Sequence, residues 1–294
     1  MQTTAVLNPA DMEAFRRDGF VHLKGLLGAD EIARLGLAVD AAVTARKQND
    51  TRALADKSPY EQSFIQCQYL WEDFPDVRPL TFHPRIVGAA AALIGADAMR
   101  LWHDQALYKE AGGRETDAHQ DHPYWPINEL RTLTAWIPLV EVDDETGCMG
   151  YSPGSHTGEA EYVNIFTEPG SGEALVAKQK HKPVFVPARP GDVLFHHGLT
   201  VHLAKANRSD RTRRAYTAIY FADGCTRAEK GGHPSLDREA IAVGAAINGR
   251  ATPIAWPLPD GRYPEPAPWP AAYGQSRMME RAARMGVFPT VGAT

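Results

Sequence analysis

From Met99 to Phe221 the sequence breaks into short apolar or alternating runs separated by Gly, Pro and Asp, and this stretch constrains the fold more than any other. The runs are Met99–Tyr108, Thr132–Leu139, Gly147–Tyr151, Lys182–Val186, Val193–His197 and Arg214–Phe221. Strand-length segments closed by turn residues build a β-sandwich or barrel. The segments before them read as helices. Asn8-Pro9 offers a cap and a first-turn proline, Asp11 and Glu13 lie near the positive helix end, and Gly19 closes the helix. A short strand at Phe20–Gly25 follows. A second helix runs from Asp30 to about Lys47, with an imperfect apolar stripe of Leu35, Leu37, Val39, Ala42 and Val43. A third covers Pro84 to Ile94 and ends at Gly95. Helices first and strands after, with no βαβ alternation, argue against a doubly wound parallel sheet.

The 294 residues suit one large domain, which can bury a substantial core without staples. The expected division is a helical part over about 9–95, a β core over about 99–224 and a C-terminal extension over about 225–294. That extension is proline-rich between 249 and 268. Trp256 and Trp269 argue that it lies on the core rather than in solvent, and a last helix is expected over about Gln275–Met285. A net charge of -5, from 31 basic and 36 acidic residues, leaves no footprint for nucleic acid. Cys67, Cys148 and Cys225 are odd in number and form no CxxC pair, so neither a zinc knuckle nor a disulfide framework is indicated. No secretory signal and no membrane-spanning run is visible, and the default expectation is a cytoplasmic protein with no membrane partner. Oligomeric state is open.

The segment Ala118-His119-Gln120-Asp121-His122 carries the chemistry. In a strand, residues two apart share a side, so His119 and Asp121 would aim an imidazole and a carboxylate at one point. Two histidines and a carboxylate with open positions form the facial triad of non-haem iron(II) oxygenases. A three-residue motif arises easily by chance, so a distal histidine must support it. His196, His197 and His202 compete for that place, in a stretch that reads as strand, turn at His197-Gly198 and second strand. Arginines follow, and a guanidinium fork can take a carboxylate bidentately.

Several separated pieces resemble the phytanoyl-CoA dioxygenase family, which includes ectoine hydroxylase-like enzymes and many natural-product oxygenases. They are Phe15-Arg-Arg-Asp-Gly-Phe20, His119-Gln-Asp121, Thr134-Ala-Trp136-Ile-Pro-Leu139, and Gly147-Cys-Met-Gly-Tyr-Ser-Pro-Gly-Ser-His156. Gly191-Asp192, His202, Asn207-Arg-Ser209 and Arg213-Arg214 continue the match, which spans about residues 10–224. The resemblance implies a mainly β fold with flanking helices, a double-stranded β-helix or jelly-roll core. It also implies iron(II), 2-oxoglutarate as cosubstrate and O2. The family pattern places the distal ligand eleven positions before the arginine that grips 2-oxoglutarate. It thereby selects His202 with Arg213, leaving His197 a hydrogen-bonding role at the turn and His196 a structural role or one supporting the ligands from behind.

Other assignments set function against packing. By the resemblance, Gln105 and Lys109 touch the cosubstrate from the preceding strand, Trp136 walls it, and Thr134 bonds a carboxylate. Each has an ordinary strand-packing alternative. His122, Tyr124 and Trp125 are expected to face the substrate, the alternative being a folded aromatic loop. Pro153-Gly-Ser-His156 is expected to shape the pocket mouth, with His156 no ligand. Ala204 stands where relatives often carry a small hydroxyl residue, so one cosubstrate contact is missing or supplied elsewhere. The implied reaction hydroxylates a C–H bond of a small-molecule substrate with release of succinate and CO2. Cyclisation, desaturation or rearrangement on the same cofactors are the alternatives. The intact Asp121 argues against halogenation, and the absence of an extended basic run favours a metabolite or natural product over a CoA thioester. A non-oxidative, cupin-like metal protein is the competing class.

Overall fold

The helical signals of the first hundred residues hold in the computed structural model, which describes residues 7–229 and 231–269. The first helix, α1 (Pro9–Asp18), is capped reciprocally: the Asn8 side chain accepts from the Asp11 N–H at 2.8 Å, and the Asp11 carboxylate accepts from the Asn8 N–H at 3.4 Å. Gly19 ends it at φ 81°, at a point where a Cβ would lie 2.5 Å from the His156 ring. The next helix, α2 (Ala29–Lys47), buries Ile32, Leu35, Val39, Ala42 and Val43. Leu37 is not part of the stripe; it is 69% exposed, because two residues along a helix turn the side chain to the other face. The alanine-rich Pro84–Ile94 helix packs closely on the sheet and stops at Gly95, φ 67°.

Eleven strands follow from the described residues: β1 (Phe20–Leu23), β2 (Ile65–Gln68), β3 (Met99–Lys109), β4 (Thr116–His119), β5 (Thr132–Pro138), β6 (Met149–Tyr151), β7 (Val184–Val186), β8 (Val193–His197), β9 (His202–Ala204), β10 (Arg213–Ala222) and β11 (Ile254–Trp256). They form a seven-stranded sheet in the order β1-β8-β5-β10-β3-β11, with β2 also on β3, and a four-stranded sheet in the order β4-β9-β6-β7. From β3 to β10 the chain passes between the two sheets so that β3, β5, β8 and β10 share one, while β4, β6, β7 and β9 share the other. That winding is a double-stranded β-helix, and the helices flank it. The polar ends of the inner strands converge between the sheets, while the opposite face of the larger sheet carries the main apolar core with α2 and the Pro84–Ile94 helix.

The proline-rich extension lies on this scaffold. Within it β11 pairs with the edge of β3, and the Trp269 indole N–H donates to Glu72 at 2.6 Å. Arg238 lies over the Trp269 ring at 4.3 Å and pairs with Glu72, both charged side chains being fully buried. The helix expected over 275–285 falls outside the described residues. Among the described residues no helix is long and apolar enough to cross a membrane.

One local expectation needs correction. β4 stops at His119, and Asp121 has helical backbone angles, φ -76° and ψ -44°, at the start of the His122–Tyr124 turn. The side-sharing argument for a continuous strand therefore does not apply. The turn brings the carboxylate back towards His119 instead.

Candidate active site

His119 ends β4 and His202 opens β9, and these two strands pair with the two residues directly opposite each other. Their rings lie 4.2 Å apart between centroids. His119 Nδ1 meets the carbonyl oxygen of Asp117 at 2.8 Å, and His202 Nδ1 meets that of Thr200 at 2.9 Å. A carbonyl can only accept, so both Nδ1 atoms carry the proton and both Nε2 lone pairs are left bare. Those nitrogens stand 3.8 Å and 3.7 Å from Asp121 Oδ1. The three ligand atoms lie within 4.8 Å of one another. This donor set fits a small divalent ion, with the tautomers already set for coordination.

Electrostatics agree with that fit. Burial, followed by the neighbouring imidazole, holds both His119 and His202 down at about 4, so they are neutral at physiological pH. Burial alone would raise Asp121, but the surrounding histidines and the His196 hydrogen bond hold its carboxyl far below the usual range. The other oxygen, Oδ2, is gripped by the Thr134 hydroxyl at 2.7 Å and His196 Nε2 at 3.1 Å. Thr134 and His196 face each other in register across β5 and β8, which places both on one carboxylate. Thr134, expected to bond the cosubstrate, thus spends its hydroxyl on Asp121, and His196 takes the supporting place beside the ligands that the sequence left open to it.

These groups line a cavity that Gln105, Trp136, Tyr124, Trp125 and Arg213 also line. Arg213 opens β10 and is 2% exposed, with its Nε and Nη1 unpartnered and no acidic residue in an ion pair with it among the described residues. Its guanidinium lies 5.5 Å from the Trp136 ring centroid. Burial lowers it to about 10, so it remains charged. A buried cation without a counter-ion is costly, and its presence beside a candidate metal site calls for an anionic ligand.

Other expected residues are distributed unevenly. Lys109 is fully buried and does not line the cavity; it turns to the Arg114 carbonyl and, behind the wall, to Thr116 Oγ1 at 3.4 Å, and burial, then Arg213, drives it well below its ordinary range. His122 is buried with Nδ1 3.3 Å from the Thr132 hydroxyl and does not line the cavity. The turn at 153–156 is also remote, since His156 bonds the Arg16 carbonyl at 3.2 Å and braces Gly19. His197 Nδ1 accepts from the Leu199 N–H at 3.1 Å. Ala204 does line the cavity, and so does Thr116, which stands opposite it in register. Gln66 and Gln68 from β2, with Tyr60, Phe64, His103 and Phe166, also line the cavity, and no motif in the sequence pointed to them.

Residues 15–215 match the family model for phytanoyl-CoA dioxygenase (PhyH). Phytanoyl-CoA dioxygenase domain-containing protein 1 of Bos taurus is 26% identical over 260 residues, covering 72% of this chain and 89% of that protein. The crystal structure of SnoK, a non-heme alpha ketoglutarate dependent carbocyclase from nogalamycin biosynthesis, superposes with a TM-score of 0.70 at 31% identity, over 86% of this chain and 98% of SnoK. The epimerase SnoN, in complex with Fe3+, alpha ketoglutarate and nogalamycin RO, does so at 0.65 and 28%, over 84% of this chain and all of SnoN (100%).

Proposed function

The chain belongs to the phytanoyl-CoA dioxygenase family, and from that premise we propose that His119, Asp121 and His202 hold iron(II), that Arg213 grips 2-oxoglutarate, and that the protein hydroxylates an unactivated C–H bond of a small metabolite or natural product. The family and the solved relatives make it a 2-oxoglutarate-dependent non-haem iron enzyme. The observation that carries the residue assignment is Arg213, a buried guanidinium with unpartnered donors on the same cavity as the three ligand atoms. A non-oxidative metal protein would have no use for it.

The chemistry supplied when iron, 2-oxoglutarate and O2 are bound is oxidative decarboxylation to succinate and CO2, coupled to attack on the acceptor C–H bond. The chain's own part is positional. Asp117 and Thr200 carbonyls fix the two imidazole tautomers, while Thr134 and His196 keep Asp121 turned with Oδ1 inward. Arg213 supplies a fork for the distal carboxylate, with Trp136 lying against it. Thr116 offers the hydroxyl that Ala204 lacks. Gln105 presents a carboxamide to the same space. Lys109 serves by holding the Arg114 carbonyl, and His122 by supporting the loop that carries Tyr124 and Trp125.

A second outcome has specific support: the relatives at 31% and 28% identity are a carbocyclase and an epimerase. The same site then removes a hydrogen atom without oxygen transfer. Succinate release from 2-oxoglutarate under air, dependent on iron(II) and lost in Arg213→Met, tests the shared reading. Product mass separates the outcomes: one oxygen gained for hydroxylation, two hydrogens lost for cyclisation or desaturation, none changed for epimerisation. Succinate formation unaffected by Arg213→Met would remove the clamp assignment.

A further inference from the structure

The cavity divides by charge. Asp121, Arg213 and the metal-side imidazoles stand at one end. Elsewhere its wall includes Tyr60, Phe64, Gln66, Gln68, Trp125 and Phe166, side chains that are uncharged at neutral pH, beside aliphatic residues and the buried His103. The rings form a continuous run. Phe64 meets Tyr60 at 5.1 Å, Tyr60 meets Phe166 at 4.7 Å, Phe166 meets Tyr124 at 5.7 Å, and Tyr124 meets His119 at 6.0 Å between centroids. The Tyr124 hydroxyl is spent on the Val163 carbonyl at 2.6 Å, so this residue offers the cavity its ring.

The polar part of this wall is dipolar rather than ionic. Gln66 and Gln68 both donate to the Gln105 carboxamide oxygen, at 2.5 Å and 3.2 Å, and the Tyr60 hydroxyl donates to Gln66 at 3.2 Å. The charged groups nearest this segment in sequence are already paired: Lys57 with Glu110, and Arg52 with Glu61. Among the described residues this wall carries no Lys, Arg, Asp or Glu to meet a phosphate, carboxylate or ammonium, and its one imidazole, His103, is buried with its ring against Tyr69 and His233.

We propose that this chamber takes an uncharged, flat ring system carrying carbonyl or hydroxyl groups, and that it discriminates against acyl-CoA thioesters and against charged amino-acid derivatives. The inference rests on the reading that the triad and Arg213 are occupied by iron and 2-oxoglutarate. With those charges satisfied, an ionic acceptor would lose its hydration and find no Lys, Arg, Asp or Glu on this wall to replace it. A neutral ring would exchange water for aromatic edges and faces, and its oxygens would meet carboxamides. Gln66, Gln68 and Phe166 are then specificity-determining residues.

Three probes of one ring system isolate charge: 2-acetonaphthone, 2-naphthoate and 2-naphthylmethylammonium. Each is dialysed to equilibrium, without oxygen, against protein loaded with iron(II) and radiolabelled 2-oxoglutarate. The ketone should be retained at least tenfold more tightly than either ion, and Phe166→Ala should weaken it at least tenfold. Gln66→Glu should weaken the ketone and improve the ammonium ion. Equal retention of the three, a preference for either ion, or no retention of the ketone up to its solubility would overturn the proposal. Retained 2-oxoglutarate with no ranking among probes counts against this inference alone. Failure to retain 2-oxoglutarate, with the ranking intact, counts against the cofactor assignment alone.

Discussion

Replacing Arg213 by methionine should make the cofactor-free protein more stable while disabling it. The side chain is 2% exposed, and burial takes its guanidinium from an ordinary 12.5 to about 10. That difference corresponds to roughly 3 kcal/mol of unfavourable desolvation in the empty protein. Methionine fills a similar volume without the charge, so part of that cost, about 1–3 kcal/mol, should be recovered. For a chain of this size each kcal/mol raises the melting temperature by about 2–4 °C. Binding moves the opposite way. Two charge-assisted hydrogen bonds at about 1.5–3 kcal/mol each make the fork worth a loss of roughly 10²–10³-fold or more in 2-oxoglutarate affinity. Thermal melts of the apoproteins and anaerobic titration of 2-oxoglutarate into the iron(II)-loaded proteins measure the two effects separately. A lower melting temperature together with unchanged 2-oxoglutarate affinity would refute the reasoning, because it would show Arg213 to be a satisfied structural cation.

Four other outcomes follow from the same geometry. Thr134→Val and His196→Gln each release Asp121 Oδ2, and iron(II) affinity measured by competitive chelation should fall about 10–100-fold with the fold intact by circular dichroism. His119 and His202 titrate near 4 in the folded chain against an ordinary 6.5, so the unfolded chain binds more protons between those values. Apoprotein stability should therefore fall as pH drops from about 6.5 to about 4, by up to roughly 3 kcal/mol per imidazole, in a pH series of thermal melts. Gly172→Ala would place a Cβ 2.3 Å from the Ala118 carbonyl oxygen, displacing β4 beside His119, so iron affinity should drop without any change to a ligand. Arg238→Met strips the buried Glu72 of its cation and should cost about 3 kcal/mol in denaturant unfolding.

The β core could be read in the sequence because its inner runs are long, apolar and closed by Gly, Pro or Asp; β8, for example, begins and ends at the residues expected. Two strands escaped because the pattern is missing, and a third was placed too far along the chain. β2 is only four residues and β11 hides in the proline-rich extension, while β4, expected to run through Asp121, ends at His119. The triad stood out through its chemistry and the wider resemblance, although the strand geometry first used to pair His119 with Asp121 was wrong. The grip of Thr134 and His196 on Asp121 was hidden because it depends on the register of β5 against β8, which no single segment reveals. Once those strands are paired, the signal is the one rung of the ladder in which both partners are polar. Tyr60, Phe64, Gln66 and Phe166 reach the cavity from distant parts of the chain and belong to residue types that carry no metal or acid–base signature.

The central claim is that three ligands and one arginine bring iron(II) and 2-oxoglutarate together. The most direct test is the visible spectrum of the purified protein on anaerobic addition of iron(II) and then 2-oxoglutarate, beside His202→Ala and Arg213→Met. The account predicts a weak charge-transfer band that needs both additions, disappears in His202→Ala and requires far more 2-oxoglutarate in Arg213→Met. No band in the wild-type protein with iron content confirmed, or an undiminished band in both variants, would contradict it.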